Sequence, residues 1–193
     1  MKKILFLLLL VFFAFYSWEK MRGNSFYFGK TTLANHTLNT VLVFGPLLAT
    51  RMTINRLTVQ GTADIDSSQI GESMKINGPL QIFGSHLKGS LEVEGPAALK
   101  KTTVDGFTVI HGSLNASEST FNNFLNIYAS KIKLSAVTVN GDLIIKGQKK
   151  SQILELEEGV HIKGAVLFES GSGTIIRDDN SVIEGPTMGV LNS

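Results

Sequence analysis

The chain has 193 residues, a formal net charge of +2 with 18% charged residues, and no cysteine. This length is enough for one domain with a sizeable core. The nearly balanced charge argues against nucleic acid as a main partner, because nucleic-acid-binding proteins usually carry a basic patch or excess. The lack of cysteine excludes disulfides, thiolate chemistry and cysteine-based metal sites.

The first 18 residues predict a signal peptide or a membrane anchor. Lys2 and Lys3 precede an uninterrupted apolar run, Ile4 to Phe15. This order of basic and apolar residues is typical of a secretory signal, and the run is shorter than the about 20 apolar residues of a transmembrane helix. The segment 15-FYS-17 offers a small residue at only one of the two positions that a cleavage site needs, so an uncleaved anchor remains an alternative.

The same segment also bears on localisation. Tyr16 and Trp18 are suited to the membrane interface, whereas a buried core helix is a third interpretation of the run. Lys2 and Lys3 favour an N-terminus that stays inside while the rest is exported. We therefore expect a protein anchored in the inner membrane or exported to the periplasm, with the cytoplasmic face of the membrane as the alternative. Residues 19–40 lack the pattern described next and are expected to form a linker or an irregular N-terminal cap.

An internal repeat dominates the rest of the chain. Its template is apolar, any, apolar, any, Gly, and its five best matches end seventeen residues apart: 57-LTVQG-61, 74-MKING-78, 91-LEVEG-95, 108-TVIHG-112 and 125-LNIYA-129. Four further matches follow after small insertions or deletions: 41-VLVFG-45, 143-LIIKG-147, 160-VHIKG-164 and 181-SVIEG-185. Internal repeats of fixed period are the mark of solenoid proteins.

Other apolar columns share the period and define the strands. Ile65, Ile82, Leu99 and Ala116 form one column, and Ile70, Leu87, Val104 and Phe121 form another. Alternation of apolar and polar residues predicts strands with one buried face, and three short strands per repeat describe one coil of a parallel β-helix. We therefore predict an all-β, single-stranded parallel β-helix of about eight coils over residues 41–187, preceded by an N-terminal hydrophobic helix and followed by a tail at 188–193. The usual handedness of parallel crossovers predicts a right-handed helix.

The repeat assigns structural roles to two sets of residues. The second apolar position of the template predicts a ladder in the core, formed by Val59, Ile76, Val93, Ile110, Ile127, Ile145 and Ile162. The glycine position predicts a tight corner after the first strand, at Gly45, Gly61, Gly78, Gly95, Gly112, Gly147, Gly164 and Gly185. All four prolines directly follow one of these glycines, at positions 46, 79, 96 and 186. Because proline lacks the N–H that a strand ladder uses, we expect all four in that one corner.

Polar residues in the repeat give no sign of an enzyme. Ser68, Ser85, Thr102 and Ser119 form a column without acid–base partners, which predicts an inward hydroxyl ladder rather than nucleophiles. Asp64 and Asp66 should point outward beside Gln81 and Phe83, as a solvated pair.

Metal and cofactor motifs are likewise missing from the pattern. Asp178 and Asp179 lie in the longest insertion and are interpreted as part of a polar loop rather than a cation site. The four histidines fall in different columns or distant coils, at positions 36, 86, 111 and 161. No phosphate-binding or nucleophile-elbow motif occurs, so we expect no catalytic residue, no metal and no cofactor.

The repeated units, such as 57-LTVQG-61 and 91-LEVEG-95, in a cysteine-free chain resemble the bactofilins, the bacterial polymer-forming cytoskeletal proteins. The resemblance covers about residues 41–187. It implies a structural scaffold that assembles end to end into filaments without nucleotide, often on a membrane. Independently, the open strand edges at the end of a β-helix promote further pairing unless they are capped. A second hypothesis is an exported cell-envelope module that binds a glycan or a protein. Phe83 and Tyr128 are its few aromatic candidates.

Overall fold

The computed structural model describes residues 23–147 and 151–191, which form a parallel β-solenoid of about ten turns without a helix. The apolar segment at 1–18, including the helix expected there, lies outside the described residues. All strand pairs are parallel, so each coil pairs with the coil before it and the coil after it. The strands, numbered β1 to β25 in chain order, fall into three rows along the solenoid.

Row 1 includes the strands that carry the predicted core ladder from Val59 to Ile145. Its strands are β1 (Asn24–Phe28), β3 (Thr37–Phe44), β5 (Thr53–Gln60), β7 (Gln69–Ile76), β10 (Ser90–Val93), β13 (Thr108–Ile110), β16 (Leu125–Tyr128), β19 (Leu143–Lys146), β22 (Val166–Phe168) and β25 (Thr187–Met188).

Row 2 forms a nine-stranded sheet of its own, here called sheet B. Its strands are β2 (Thr31–Ala34), β4 (Leu47–Thr50), β6 (Ala63–Asp66), β8 (Leu80–Phe83), β11 (Ala97–Lys100), β14 (Leu114–Ser117), β17 (Lys131–Ser135), β20 (Gln152–Glu157) and β23 (Gly173–Arg177).

Row 3 contains β9 (His86–Leu87), β12 (Thr103–Val104), β15 (Thr120–Phe121), β18 (Thr138–Val139), β21 (His161–Ile162) and β24 (Val182–Ile183). Rows 1 and 3 together make the sixteen-stranded sheet A, because β3, β5 and β7 run through both rows without a break. Sheet A then divides at β7, whose first half pairs with β9 and whose second half pairs with β10.

The division of sheet A coincides with a change in coil length. Row 3 advances sixteen residues from Thr53 to Gln69 and seventeen from Gln69 to His86. The register between β5 and β7 shifts after Ile54. Beyond that point Gly89 separates row 3 from row 1, and a Cβ atom on Gly89 would lie 1.6 Å from the carbonyl oxygen of Glu72. The additional residue therefore creates a third corner whose backbones approach too closely for a side chain.

The solenoid begins earlier than the sequence pattern indicated. Strands β1 and β2 lie within residues 19–40, where a linker or irregular cap was expected, and β1 pairs with β3 from Asn24 onward. The segment 25-SFYFG-29 occupies the same row as the template repeats, but with Ser25 in the first apolar position. This polar substitution hid the first coil. The expected count of about eight coils is therefore corrected to about ten.

The core is a continuous apolar column along the solenoid axis. Away from the two ends, inward side chains of all three rows are buried, and successive coils place branched aliphatic residues directly above one another, as in Val59, Ile76 and Val93. β-branched side chains pack well on such pleated surfaces. A single coil has no interior of its own, so its burial depends on the coils stacked on either side.

Candidate functional site

The predicted core ladder is one column as far as Ile145. Each member lies opposite the next in the register of row 1, and all are fully buried: Val59, Ile76, Val93, Ile110, Ile127 and Ile145. The next residue in this column is Phe168, which lies opposite Ile145. Ile162 is equally buried but lies in row 3, between Val139 and Ile183. The expectation that Ile162 continues the ladder is therefore corrected.

The change of row at Ile162 has a simple cause. The corner after Gly147 contains an insertion, so β20 begins only at Gln152. Row 1 consequently advances twenty-three residues, from Leu143 to Val166. The seventeen-residue spacing from Gly147 to Gly164 suggests an unbroken repeat, but it joins two different corners of the coil.

The predicted glycine positions also fall into two different corners of the coil. Gly45, Gly61, Gly78, Gly95 and Gly112 stack in the corner between rows 1 and 2, and a Cβ atom on any of them would lie 2.4–2.7 Å from the carbonyl oxygen of the glycine one coil earlier. Gly147 occupies that corner after Ala129 and has a left-handed φ of 155°.

Gly164 and Gly185 instead occupy the corner between rows 3 and 1. Gly164 faces the carbonyl oxygen of Gly141, and Gly185 faces that of Gly164, both at 2.4 Å from the position of a Cβ atom. Pro186 follows Gly185 into β25 and so stands in a different corner from the other three prolines. Both corners bring backbones together closely, which is why the same Gly-Pro pair suits each of them.

The predicted hydroxyl ladder is confirmed. Ser68, Ser85, Thr102 and Ser119 are all buried. The Ser68 hydroxyl accepts the N–H of Met52 at 3.0 Å, and the Ser85 hydroxyl accepts that of Ser68 at 3.0 Å. Ser68 in turn donates to the carbonyl of Asp66 at 2.8 Å. These hydroxyls therefore satisfy backbone groups at the corner between rows 2 and 3, as buried polar groups require.

Outward polar side chains mostly pair with the neighbouring coil. Lys75 and Glu92 form an ion pair at 2.5 Å, and the Asn77 amide donates to Gln60 at 2.8 Å. A longer ladder joins three coils, in which Asn140 donates to Asn122 and Asn122 donates to Asp105, both at 2.7 Å. Such cross-strand contacts fix the register of neighbouring coils.

Three of the four histidines take part in these cross-coil pairs rather than forming a ligand set. The Nε2 atom of His86 lies 2.7 Å from Asp105, and that of His161 lies 2.6 Å from Glu184. His111 lies 3.8 Å from Glu94 and stacks on Tyr128, with ring centroids 4.1 Å apart. Among residues 23–147 and 151–191, no three acidic or histidine side chains are arranged to hold a metal ion.

Two carboxylates have perturbed pKa values. Partial burial alone would raise the pKa of Asp105, but hydrogen bonds from Asn122 and His86 outweigh it and hold that pKa below its usual range. The contact with the Ser181 hydroxyl, aided by backbone N–H groups, lowers the pKa of Asp178. Asp178 also accepts the N–H of Glu158 at 2.7 Å. It therefore stabilises the corner before β21 as an ionised turn residue.

The outer face of sheet B carries a shallow depression, here called the sheet B groove. Its floor is Ala98, and Gln81 and Asn115 flank it one coil below and one coil above. Two adjoining cavities of about 290 and 390 Å³ share these three residues. The outward placement of Asp64 beside Gln81 and of Asp66 beside Phe83 is confirmed by the register of β6 and β8.

No family model, curated protein or solved structure matches this chain. The sheet B groove is a feature that sequence reasoning missed. The signal was present in the outward column Asp64, Gln81, Ala98 and Asn115, where one methyl group interrupts three polar side chains. No helix in the described ranges is long and apolar enough to cross a membrane.

Proposed function

We propose that this chain is a non-enzymatic structural scaffold that self-associates end to end, in the manner that the resemblance to bactofilins implies. The observation that carries the proposal is the uncovered last coil. Ile175 and Ile183 face inward, opposite Leu154 and Ile162, yet they are only partly buried because no described coil covers them. A cavity of about 280 Å³ opens between them.

Apart from Gly173, the strand edges at this end also remain unpaired among the described residues. Each of β23, β24 and β25 pairs with only one named strand in the described ranges. The chain itself shows that the edge of β23 accepts another strand, since Val190 bridges to Gly173 and the Leu191 N–H donates to the Gly173 carbonyl at 2.8 Å. An unprotected edge of this kind favours the addition of a further strand from another molecule.

The first described coil offers a complementary surface. Strand β2 pairs with β4 alone among the described strands, and Tyr27 and Leu33 are inward side chains that are only partly buried. Joining the last coil of one copy to the first coil of the next would continue the parallel ladders of both sheets. A head-to-tail contact of this kind does not close on itself and generates a filament. We include in the proposal a right-handed winding, which follows from the usual crossover preference.

The membrane is the second proposed partner. The basic and apolar pattern of residues 1–18 supports attachment through this segment or export after its removal. The scaffold would then lie on the inner membrane or in the periplasm, or on the cytoplasmic face in the alternative orientation. The charge balance of the chain supports a role without nucleic acid.

Sedimentation velocity of the full-length protein over a range of concentrations tests end-to-end association. We expect species larger than the monomer, and we expect Ile183→Lys, which places a charge on the uncovered end, to weaken association by roughly tenfold or more. Ile176→Lys is the matched control, because Ile176 lies opposite Glu155 on the outer face of sheet B. A monomer at every concentration, or equal loss in both variants, would contradict the proposal.

A binding module of the cell envelope is the second candidate function. The sheet B groove favours it, because the groove is a shallow depression with free polar side chains, away from both ends of the solenoid. Binding of a ligand in this groove does not depend on self-association.

A further inference from the structure

The polar side chains of the sheet B groove differ from the cross-coil ion pairs beside it. Many outward amides and charges contact a polar side chain one coil away, as Asn77 contacts Gln60. In the groove, the carboxylate of Asp64 and the amides of Gln81 and Asn115 make no hydrogen bond or ion pair with any described residue. These three polar groups therefore retain their full capacity to bind a ligand.

The reason is the small side chain between the two amides. Gln81, Ala98 and Asn115 lie directly opposite one another on three successive strands of sheet B. A longer polar residue in place of Ala98 would contact both amides and complete a ladder. With alanine there, Gln81 and Asn115 are two strand spacings apart, about 9.6 Å. Their hydrogen-bonding groups face a gap that a ligand can occupy.

The charges around the groove are already balanced. On one side, Lys100 and Lys101 share Glu118, each at 3.6 Å, and the unpaired carboxylate of Asp64 offsets the additional positive charge. On the other, Lys131 contacts Glu155 and Lys133 contacts Glu157, each at 2.9 Å. Exposed ion pairs of this kind contribute little to stability, but they leave the rim nearly neutral. The free groups beside Ala98 are two amides, which both donate and accept hydrogen bonds, and one coil further the Asp64 carboxylate, which accepts them.

An aromatic ring completes the lining. Phe83 is 45% exposed, and it lies opposite Asp66 and Lys100 in the column beside Gln81. The Lys101 ammonium lies over this ring, 5.9 Å from its centroid, and the exposed remainder of the ring supplies an apolar surface next to the amides. Binding sites that combine an apolar wall with a few convergent polar groups are suited to ligands that have both kinds of surface.

We propose that the sheet B groove binds a neutral carbohydrate chain. Sugar hydroxyl groups both donate and accept hydrogen bonds and so match the amides of Gln81 and Asn115, while the C–H face of a sugar ring can pack on Phe83. The outward column from Asp64 to Lys133 crosses five strands, a span of roughly 19 Å. An extended polymer lying along the solenoid axis fits this span better than a single sugar.

Titration of the full-length protein with soluble cellohexaose and chitohexaose tests the proposal, with the side-chain amide signals of Gln81 and Asn115 followed by NMR. We expect at least one of these neutral oligosaccharides to shift both signals with a dissociation constant near or below about 1 mM. Ala98→Gln fills the gap and should weaken binding roughly tenfold or more. The matched control Val109→Gln introduces the same side chain between Glu92 and Asn126 on sheet A and should leave binding unchanged.

Three results would overturn the proposal. One is the absence of any shift at Gln81 and Asn115 with either oligosaccharide. Another is equal binding by wild type and Ala98→Gln while the melting temperature of that variant shows it to be folded. The third is binding of anionic polygalacturonate, titrated in the same way, when neither neutral oligosaccharide binds. Sedimentation of the same samples distinguishes a failure of carbohydrate binding from a failure of end-to-end association. Ala98 lies far from either end of the solenoid, so Ala98→Gln should leave association unchanged.

Discussion

The carbonyl oxygen of Gly95 lies 2.4 Å from the position that a Cβ atom would take on Gly112. This distance is well inside van der Waals contact, so the two coils approach one another only because the corner carries no side chain. The chain places alanine in this column once, at Ala129. That corner is one residue longer, since Ile132 follows Ile127 by five positions whereas Leu114 follows Ile110 by four. The longer corner gives the methyl group room.

Gly112→Ala should therefore destabilise the solenoid by about 3 kcal/mol, because the neighbouring atoms are backbone and cannot move aside cheaply. The control is Gly171→Ala, whose φ is 67° but whose added Cβ would meet nothing within 4 Å. It should lower stability by only about 1 kcal/mol, the cost of a left-handed alanine. Urea denaturation of both variants measures the difference, and equal losses would refute the close-contact explanation.

The inward assignment of Ile110 predicts that Ile110→Asp prevents folding. The side chain is fully buried between Val93 and Ile127, and an unpaired carboxylate there has no hydrogen-bond partner. Val109→Asp, one residue earlier on the outer face of sheet A, should fold with a loss of under about 1 kcal/mol. Circular dichroism and thermal melting distinguish the two. An Ile110→Asp variant that melts like the wild type would be inconsistent with the core ladder.

Gln152 stabilises the corner that changes the phase of the repeat. It is 1% exposed, and its amide donates to the carbonyls of Ala129 and Lys146, each at 3.1 Å. Gln152→Leu removes both donations and should cost about 2 kcal/mol in unfolding free energy.

Thr108 provides the opposite case. Its hydroxyl is buried and has no hydrogen-bond partner in the described part of the chain. Thr108→Val keeps the shape and should raise stability by up to about 1 kcal/mol. Chemical denaturation of Gln152→Leu and Thr108→Val measures both changes in unfolding free energy. A destabilised Thr108→Val would mean that the hydroxyl has a partner.

The ladder from Asp105 to Asn140 predicts a loss of stability in acid. The pKa of Asp105 is lower in the folded state than in the unfolded chain. Its contribution is therefore present above about pH 4 and is lost as the pH falls through the folded-state pKa. Asp105→Asn should flatten the fall in unfolding free energy between pH 6 and pH 3, measured by urea denaturation at each pH. Asn122→Ala, which removes one donor, should flatten it in part, and an unchanged slope in both would contradict the assignment.

Much of the architecture follows from local pattern. The alternation in 91-LEVEG-95 and its relatives places Val93 and Ile110 inward, because neighbouring side chains on a strand point to opposite faces. The hydroxyl ladder at Ser68 and Ser85 follows from the same period. The first coil, at residues 24–40, was missed because Ser25 stands where the template has an apolar residue. The sheet B groove was missed because it depends on which side chains lie beside Ala98 on three different coils.

The sequence by itself determined that this chain coils in parallel, with glycine at the tight corners and aliphatic residues at its centre. These features repeat within seventeen residues and depend on local geometry alone. Only the tertiary structure decided that Ile162, Gly164 and Pro186 belong to different columns from their sequence relatives. The insertion after Gly147 lengthens one corner without changing the strand pattern, and a residue's column is set by the coil beneath it rather than by its distance along the chain.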